Sequence, residues 1–206
     1  WIGDLGRIHL LKIPRSFTPT LSSPILRREL HVLGDSSTLC YAAICFMRTI
    51  TIDGTIHVSL VASRNRLAPL KGLSVPRLEL SAAQLAARLY NLVRSELELH
   101  IDSAWLWSDS MATLGLIRNK TSRFPTYIAN RVAEIQETTR IEDWRYINTK
   151  INVADGLSRG IFPESFEGHP YFHGPDFLQW TEEFWPTEPS NGAGAWEFEE
   201  TSMATI

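Results

Sequence analysis

Four carboxylates in this 206-residue chain stand where local preference accounts for them poorly. Asp35 closes an apolar run in Leu33-Gly34-Asp35-Ser36-Ser37, and Asp109 closes another in Trp107-Ser108-Asp109-Ser110. Aspartate is depleted in strands, so two Asp-Ser pairs directly after strand-like runs need a cause. Turn formation and helix capping supply a local one. Glu79 falls in the first turn of a long helical pattern, where the helix dipole favours an acid. Asp155 follows Asn152 by three residues, a spacing like that of a capping box. Taken singly, each residue has a structural explanation; taken together, they suggest chemistry. If the first and fourth strands are parallel neighbours, Asp35 and Asp109 sit side by side at the carboxyl end of the sheet, where such sheets bind ligands. Two helix starts can then bring Glu79 and Asp155 to the same place. Four converging carboxylates without counter-charge repel one another. Divalent cations relieve that repulsion, and oxygen-only ligands select Mg²⁺ or Mn²⁺ over zinc. Two such ions about 3.5–4 Å apart can activate a water and stabilise the leaving oxygen of a phosphodiester.

The elements that must position these acids are legible from periodicity. Glu29–Gly34 alternates, Tyr41–Thr51 is rich in β-branched and aromatic residues, and Thr55–Ser63 is again strand-like. Asp53-Gly54 between the last two predicts a hairpin turn. A long helix is expected over Val75–Glu96, with Leu78, Ala82, Leu85 and Leu89 on one face, Ser74 as N-cap and Pro76 in the first turn. Ala104–Ser108 predicts a buried strand. Helices are expected over 110–118, 125–139 and Asn152–Arg159, and a strand over Asp143–Ile147. The order is βββ-α-β-α-α-β-α, a mixed α/β arrangement.

Composition agrees with a folded chain, at 44% hydrophobic and 21% charged residues. No stretch is long and apolar enough to span a membrane, and no membrane partner is expected. Cys40 and Cys45 are too few for a disulfide framework or a four-cysteine zinc site, and read as small buried residues. The net charge of −3 conceals a split. Residues 26–160 carry 17 Lys and Arg against 13 Asp and Glu, whereas 161–206 carry nine acids and no Lys or Arg. A basic body beside an acidic tail keeps nucleic acid among the possible partners. Residues 1–25 read as a short ordered segment and a Ser-Thr-Pro-rich linker, and the chain, which begins at Trp1, reads as part of a longer one. Residues 26–160 form the expected domain. Residues 161–206 read as an acidic, aromatic and Pro-rich extension, partly disordered beyond Pro189, in which Phe177, Trp180, Phe184 and Trp185 can pack back on the body as about one turn of helix.

The order strand–Asp, helix–Glu, strand–Asp, helix–Asp on this chain resembles type 1 ribonuclease H. More narrowly, the chain is similar to the ribonuclease H domain in polyproteins of Bel/Pao-type long-terminal-repeat retrotransposons. The stretches that carry the likeness are His31-Val-Leu-Gly-Asp35-Ser-Ser, Ser63-Arg64, Leu73-Ser-Val-Pro76-Arg77-Leu-Glu79-Leu-Ser-Ala-Ala and Leu106-Trp-Ser-Asp109-Ser. They continue through Tyr127-Ile-Ala-Asn130-Arg131-Val-Ala-Glu-Ile-Gln, Trp144-Arg145 and Asn152-Val-Ala-Asp155-Gly-Leu-Ser158-Arg159-Gly160. Residues 1–15 are similar to the end of the connection that follows reverse transcriptase. Gly174-Pro175-Asp-Phe-Leu and Glu182-Glu-Phe-Trp185-Pro186 are similar to the spacer before integrase.

The resemblance implies a ribonuclease H-like fold: a central mixed five-stranded sheet, three antiparallel strands then two parallel, with helices on both faces. It implies that Asp35, Glu79, Asp109 and Asp155 are the catalytic residues and metal ligands, for two Mg²⁺ or Mn²⁺ ions. The implied reaction is endonucleolytic hydrolysis of RNA in an RNA–DNA hybrid; a non-catalytic nucleic-acid-binding or scaffold domain of the same fold is the alternative. The reverse transcriptase and integrase regions of the same polyprotein are the implied partners, in an intracellular setting. One departure stands out. Many ribonucleases H carry a histidine in the loop before the last catalytic Asp, but here no histidine occurs from 101 to 168. Asn152 either takes part of that role or caps the helix.

Hybrid binding requires cations near phosphates, and Arg64, Arg66, Lys71, Arg77, Lys150 and Arg159 are the candidates. A solvated basic face is the competing reading for each, and Arg77 can equally pair with an acid. Trp105 and Trp107 fit core packing better than base stacking. His57 has no assignable partner.

Overall fold

A computed structural model describes residues 16–17, 23–119, 123–162, 165–166 and 168–189. The expectations for residues 1–15 and for the segment beyond Pro189 lie outside the described residues. Five strands form one sheet in the order β3-β2-β1-β4-β5. β1 (Ile25–Ser36), β2 (Cys40–Thr51) and β3 (Ile56–Leu67) make an antiparallel meander. β4 (Ser103–Ser108) adds parallel to β1, and the short β5 (Trp144–Tyr146) adds parallel to β4. The expected hairpin turn is present. Gly54 adopts φ +84°, which glycine reaches without steric cost, and the Asp53 carboxylate accepts from Thr55 N at 3.1 Å. β3 runs four residues further than the apolar pattern suggested, because β2 remains available for pairing out to Cys40↔Leu67.

Alternation along β1 sends residues to two cores. Leu30 and Val32 join Ala43, Cys45 and Met47 beneath the helices α1 (Val75–Glu96), α2 (Met111–Arg118) and α3 (Thr126–Thr138). Leu33 joins Ile44, Phe46 and Trp107 on the opposite face. α1 presents Leu80, Ala83, Leu85, Ala86, Leu89 and Val93 to the first core, and the expected Leu78 and Ala82 are buried as well. Pro76 sits in its first turn, and Ser74 is the N-cap residue without a side-chain capping bond. The second core is covered by α4 (Ala154–Arg159) and by the segment that follows α5 (Pro170–His173).

That segment departs from the expectation of a single helical turn. It makes two 3₁₀ turns, Asp176–Gln179 and Glu182–Phe184. Phe177, Leu178 and Trp185 are buried against the sheet, whereas Trp180 and Phe184 are 50% and 66% exposed. Trp107 meets Phe177 edge-on at 4.9 Å and Trp185 at 5.6 Å. Its place is therefore in the core, as is that of Cys45, and both cysteines are buried and unbridged. Trp105 is partly covered, with the Arg145 guanidinium 4.5 Å from its ring. No described helix is long and apolar enough to cross a membrane.

Candidate functional site

Strand register places the first two acids. β1 and β4 run parallel with Gly34 opposite Ser108. Asp35 and Asp109 each stand one residue further, so they leave adjacent strands at the same carboxyl end of the sheet. Gly34 has a second role. A Cβ there would lie 3.1 Å from the Ala82 carbonyl oxygen, so its absence lets α1 settle closely on β1. This approach brings the N-terminal part of α1 to the strand ends; Glu79 stands just beyond the first turn expected for it, because the helix starts at Val75, and its carboxylate accepts from Ser110 Oγ at 2.5 Å. Ser110 follows Asp109 and caps α2, its Oγ accepting from Thr113 N at 3.1 Å. One hydroxyl thus joins three elements.

The fourth acid arrives from the other face of the sheet. Asn152 donates to the Gly34 carbonyl at 3.1 Å and accepts from Ala154 N at 3.2 Å, so it both caps α4 and fastens it to β1. Ser158 donates to Asp35 Oδ2 at 2.6 Å, and Ser37 donates to the Ser158 carbonyl at 2.6 Å. Asp155, on the same short helix, pairs with Arg159 Nε at 2.5 Å.

The charges of the four acids reach one another in pairs. Burial, offset in part by the Ser158 bond and reinforced by the Asp109 and Asp155 charges, raises Asp35 from 3.8 to about 6. Asp109 is raised by burial and by Asp155, against the opposing bonds from Thr149 and Asn152. Glu79 is raised by burial and by Asp109, against the Ser110 bond. Each acid therefore feels at least one other, and Arg159 on Asp155 is the ion pair recorded at the cluster among the described residues. A dry group of like charges is a means of storing affinity for a cation.

The donor set fits a hard divalent ion, being all carboxylate oxygen. Among the described residues, no three His, Cys, Asp or Glu are already gathered tightly enough to enclose an ion. Asp35, Glu79 and Asp155 are instead engaged by Ser158, Ser110 and Arg159. Rotation of side chains away from these partners is the rearrangement that ion binding requires.

The cationic candidates divide into four groups. Arg64 and Arg66 are exposed on the edge strand β3, flanking Asn65, which lies in the cross-strand row Asn65–Ala42–Asp35. That row puts Asn65 two strands, roughly 10 Å, from Asp35, and alternation sends the Arg64 and Arg66 side chains to the other face of the sheet. Lys71 is exposed on the connection to α1. The Arg77 guanidinium lies 5.1 Å from the centre of the Tyr127 ring on α3. Lys150 and Arg159 border a groove of about 630 Å³ between α4 and the C-terminal segment, which Asp155 also lines.

Sequence reasoning missed Ser110 and Ser158 as carboxylate partners, and His169 and Trp180 as groove residues. Ser110 was signalled by its cap position after Asp109. The other three depend on contacts more than a hundred residues apart in the chain or on the path of the C-terminal segment, which no local pattern encodes.

Comparison with known proteins agrees with this architecture. The family model described as the Pao retrotransposon-like RNaseH-like domain matches residues 4–110, just over half the chain. The protein belongs to that family. No curated protein sequence matches significantly. Among solved structures, RNase H1 from the halophilic archaeon Halobacterium salinarum NRC-1 is similar at 16% identity, over 61% of this chain and 89% of that one, with a TM-score of 0.38. The N-terminal RNase H domain of a Mycobacterium tuberculosis protein, solved as a maltose-binding-protein fusion, is similar at 9% identity over 69% and 95%, with a TM-score of 0.40. LC11-RNase H1, solved in complex with an RNA/DNA hybrid, is similar at 11% identity over 61% and 88%, with a TM-score of 0.38.

Proposed function

We propose that this retrotransposon ribonuclease H-like domain hydrolyses the RNA strand of RNA–DNA hybrids endonucleolytically, with Asp35, Glu79, Asp109 and Asp155 holding two Mg²⁺ or Mn²⁺ ions. The observation that carries the reading is the convergence of four carboxylates, from two parallel strand ends and two helices, in a site where burial and mutual repulsion raise three of them. Structural carboxylates are ordinarily paired with cations; among the described residues the ion pair at this cluster is that of Asp155 with Arg159. Bound at these oxygens, divalent ions supply a nucleophile and stabilise the charge that develops on the leaving oxygen.

The protein's own residues do the positioning. Asp35 and Asp109 fix two ligand directions on the rigid sheet, and Ser110 orients Glu79. Asn152 and Ser158 hold α4 against β1 and so set the reach of Asp155. Arg64, Arg66 and Lys71 on the β3 side, with Lys150 and Arg159 on the α4 side, supply phosphate contacts on both flanks of the acids, and Arg77 stiffens the α1–α3 contact near them. Discrimination of RNA from DNA rests on 2′-hydroxyl contacts and groove shape. The reverse transcriptase and integrase regions of the same polyprotein are the proposed neighbours, and the setting is intracellular.

Cleavage of an end-labelled RNA–DNA hybrid in Mg²⁺, Mn²⁺ or chelator, beside single-stranded RNA, duplex RNA and duplex DNA, tests the reading. Metal-dependent internal cuts confined to the RNA of the hybrid are expected. Hybrid binding without cleavage in either metal would reassign the domain to a nucleic-acid-binding scaffold.

A further inference from the structure

The groove between α4 and the C-terminal segment has a composition of its own. Its floor is apolar, built from Pro170, Pro175 and Phe177, and the half-exposed Trp180 indole forms one wall. Lys150 and Arg159, both exposed, border it, and Asp176 is the acid that Asp155 does not account for. His169 also lines it. The His169 Nδ1 accepts from Tyr171 N at 3.1 Å, so the ring proton resides on Nε2 and offers a donor; burial holds the imidazole below its ordinary pKa, and hence neutral.

We propose that this groove is a nucleotide subsite for the strand that leaves the acidic cluster: a base or sugar stacks on Trp180 over the proline-rich floor, and its phosphate lies against Lys150 and Arg159. The inference rests on the hybrid-cleavage reading and extends it to a part of the chain outside the strand-end acids. Three features favour a nucleotide as the occupant. An aromatic wall beside two cations is the pairing that single nucleotides require, one surface for the ring and one for the phosphate. The groove is continuous with the site through Asp155, which lines both, so a strand held at the acids has a direct path into it. The wall is also firmly built. Arg48 Nη2 and Trp185 Nε1 both donate to the Trp180 carbonyl, at 2.8 and 3.2 Å, while its side chain remains half exposed. Backbone anchoring with an uncovered indole is an arrangement that serves a ligand better than a core.

The test uses the full chain and hybrids whose RNA carries one 5-iodouridine, moved stepwise past the cut site, photocrosslinked with Ca²⁺ replacing Mg²⁺ and mapped by mass spectrometry. Crosslinks at Trp180 from one or two adjacent positions on a single side of the cut are expected. Trp180→Ala should weaken hybrid binding about tenfold and Trp180→Phe far less, since every base stacks on any ring. Lys150→Gln should lower the salt slope of binding by about one. Neither Trp180 variant removes the backbone acceptor of Arg48 and Trp185, and thermal melts check that both fold. A hybrid that is cut normally, binds Trp180→Ala as tightly as the parent and never crosslinks there overturns the subsite while leaving the nuclease reading in place. A hybrid neither bound nor cut by the parent overturns both.

Discussion

β1 carries two buried carboxylates six residues apart, and the chain treats them in opposite ways. Glu29 is 1% exposed and surrounded by partners: Arg48 Nη1 at 2.7 Å, Arg27 Nε at 3.0 Å and His31 Nε2 at 3.4 Å. Burial pushes its pKa up, but the His31 and Arg48 bonds and charges outweigh that and leave it lowered. His31 is itself defined by its neighbours. Trp107 Nε1 can only donate, and it reaches His31 Nδ1 at 3.2 Å, so Nε2 carries the proton given to Glu29. Arg48 then extends the network to the Leu178 and Trp180 carbonyls at 2.7 and 2.8 Å, tying down the C-terminal segment. Asp35 is 7% exposed, and its recorded side-chain partner is the neutral Ser158. Compensation marks the first carboxylate as architecture. Its absence at the second is what the proposed metal site would draw on.

The largest expected effect breaks the uncompensated end. Asp109→Asn keeps the volume and the hydrogen-bonding reach of the side chain but removes a ligand charge. Cleavage of the hybrid should fall by more than about 10³-fold, or about 4 kcal/mol of barrier, while the circular dichroism spectrum and hybrid binding persist. A variant that cuts like its parent would remove Asp109 from the chemistry.

Arg48→Leu breaks the compensated end. It removes the buried cation nearest Glu29 and the donor to the Leu178 carbonyl, and leaves the Trp180 carbonyl with Trp185 Nε1. Removing one partner of a buried pair costs about 3–5 kcal/mol, so Tm should drop by about 10 °C or more. Denaturant melts showing a loss below about 1 kcal/mol would mean that the network is ornamental and the segment is held by Phe177 and Trp185 alone.

The two carboxylates also predict opposite pH dependences. Glu29, with its pKa lowered, contributes stability that is present above its ordinary value of 4.5 and lost as pH falls. Asp35 titrates near 6 when folded and near 3.8 when unfolded, so the folded state binds its proton more tightly. Its contribution is whole below about 3.8 and declines as pH rises to about 6. Asp35→Asn should therefore abolish that decline and stabilise the chelated protein at pH 7 by about 1–2 kcal/mol. Urea melts from pH 4 to 7 measure it, and an unchanged slope would show that the acid cluster is already compensated.

The contrast also explains what the sequence could disclose. Strand and helix boundaries around the acids were legible because each rests on local patterning: alternation before Asp35, the 3.6-residue period and Pro76 before Glu79, and the apolar run before Asp109. The adjacency of Asp35 and Asp109 required only the parallel β1–β4 pairing. The Glu29–His31–Arg48 network was not legible. Glu29 reads as a polar residue in an alternating strand, and Arg48 becomes an anchor only when a segment 130 residues later crosses it. His169 and Trp180 were invisible for the same reason, since their places depend on that crossing. Local periodicity encodes elements, and partners distant in the chain are left to topology.

Arg159→Gln gives the smallest effect and addresses the cation that pairs with the acid cluster among the described residues. Its guanidinium sits one helical turn after Asp155 and binds Oδ1, on the exposed rim of α4. A divalent ion drawn in by Asp35, Glu79 and Asp109 must compete with it for that oxygen. The substitution should tighten Mg²⁺ or Mn²⁺ binding by about twofold, a modest gain because exposed ion pairs one turn apart are weak. Hybrid affinity should fall at the same time, since the guanidinium that is lost is also a phosphate contact in the proposed groove. Titration calorimetry with the metal alone, compared with hybrid binding in Ca²⁺, separates the two. Tighter metal binding with weaker hybrid binding is expected of a side chain that trades the carboxylate for the phosphate. Unchanged metal affinity would mean that Asp155 stays with its own helix and that the other three acids suffice to hold the ions.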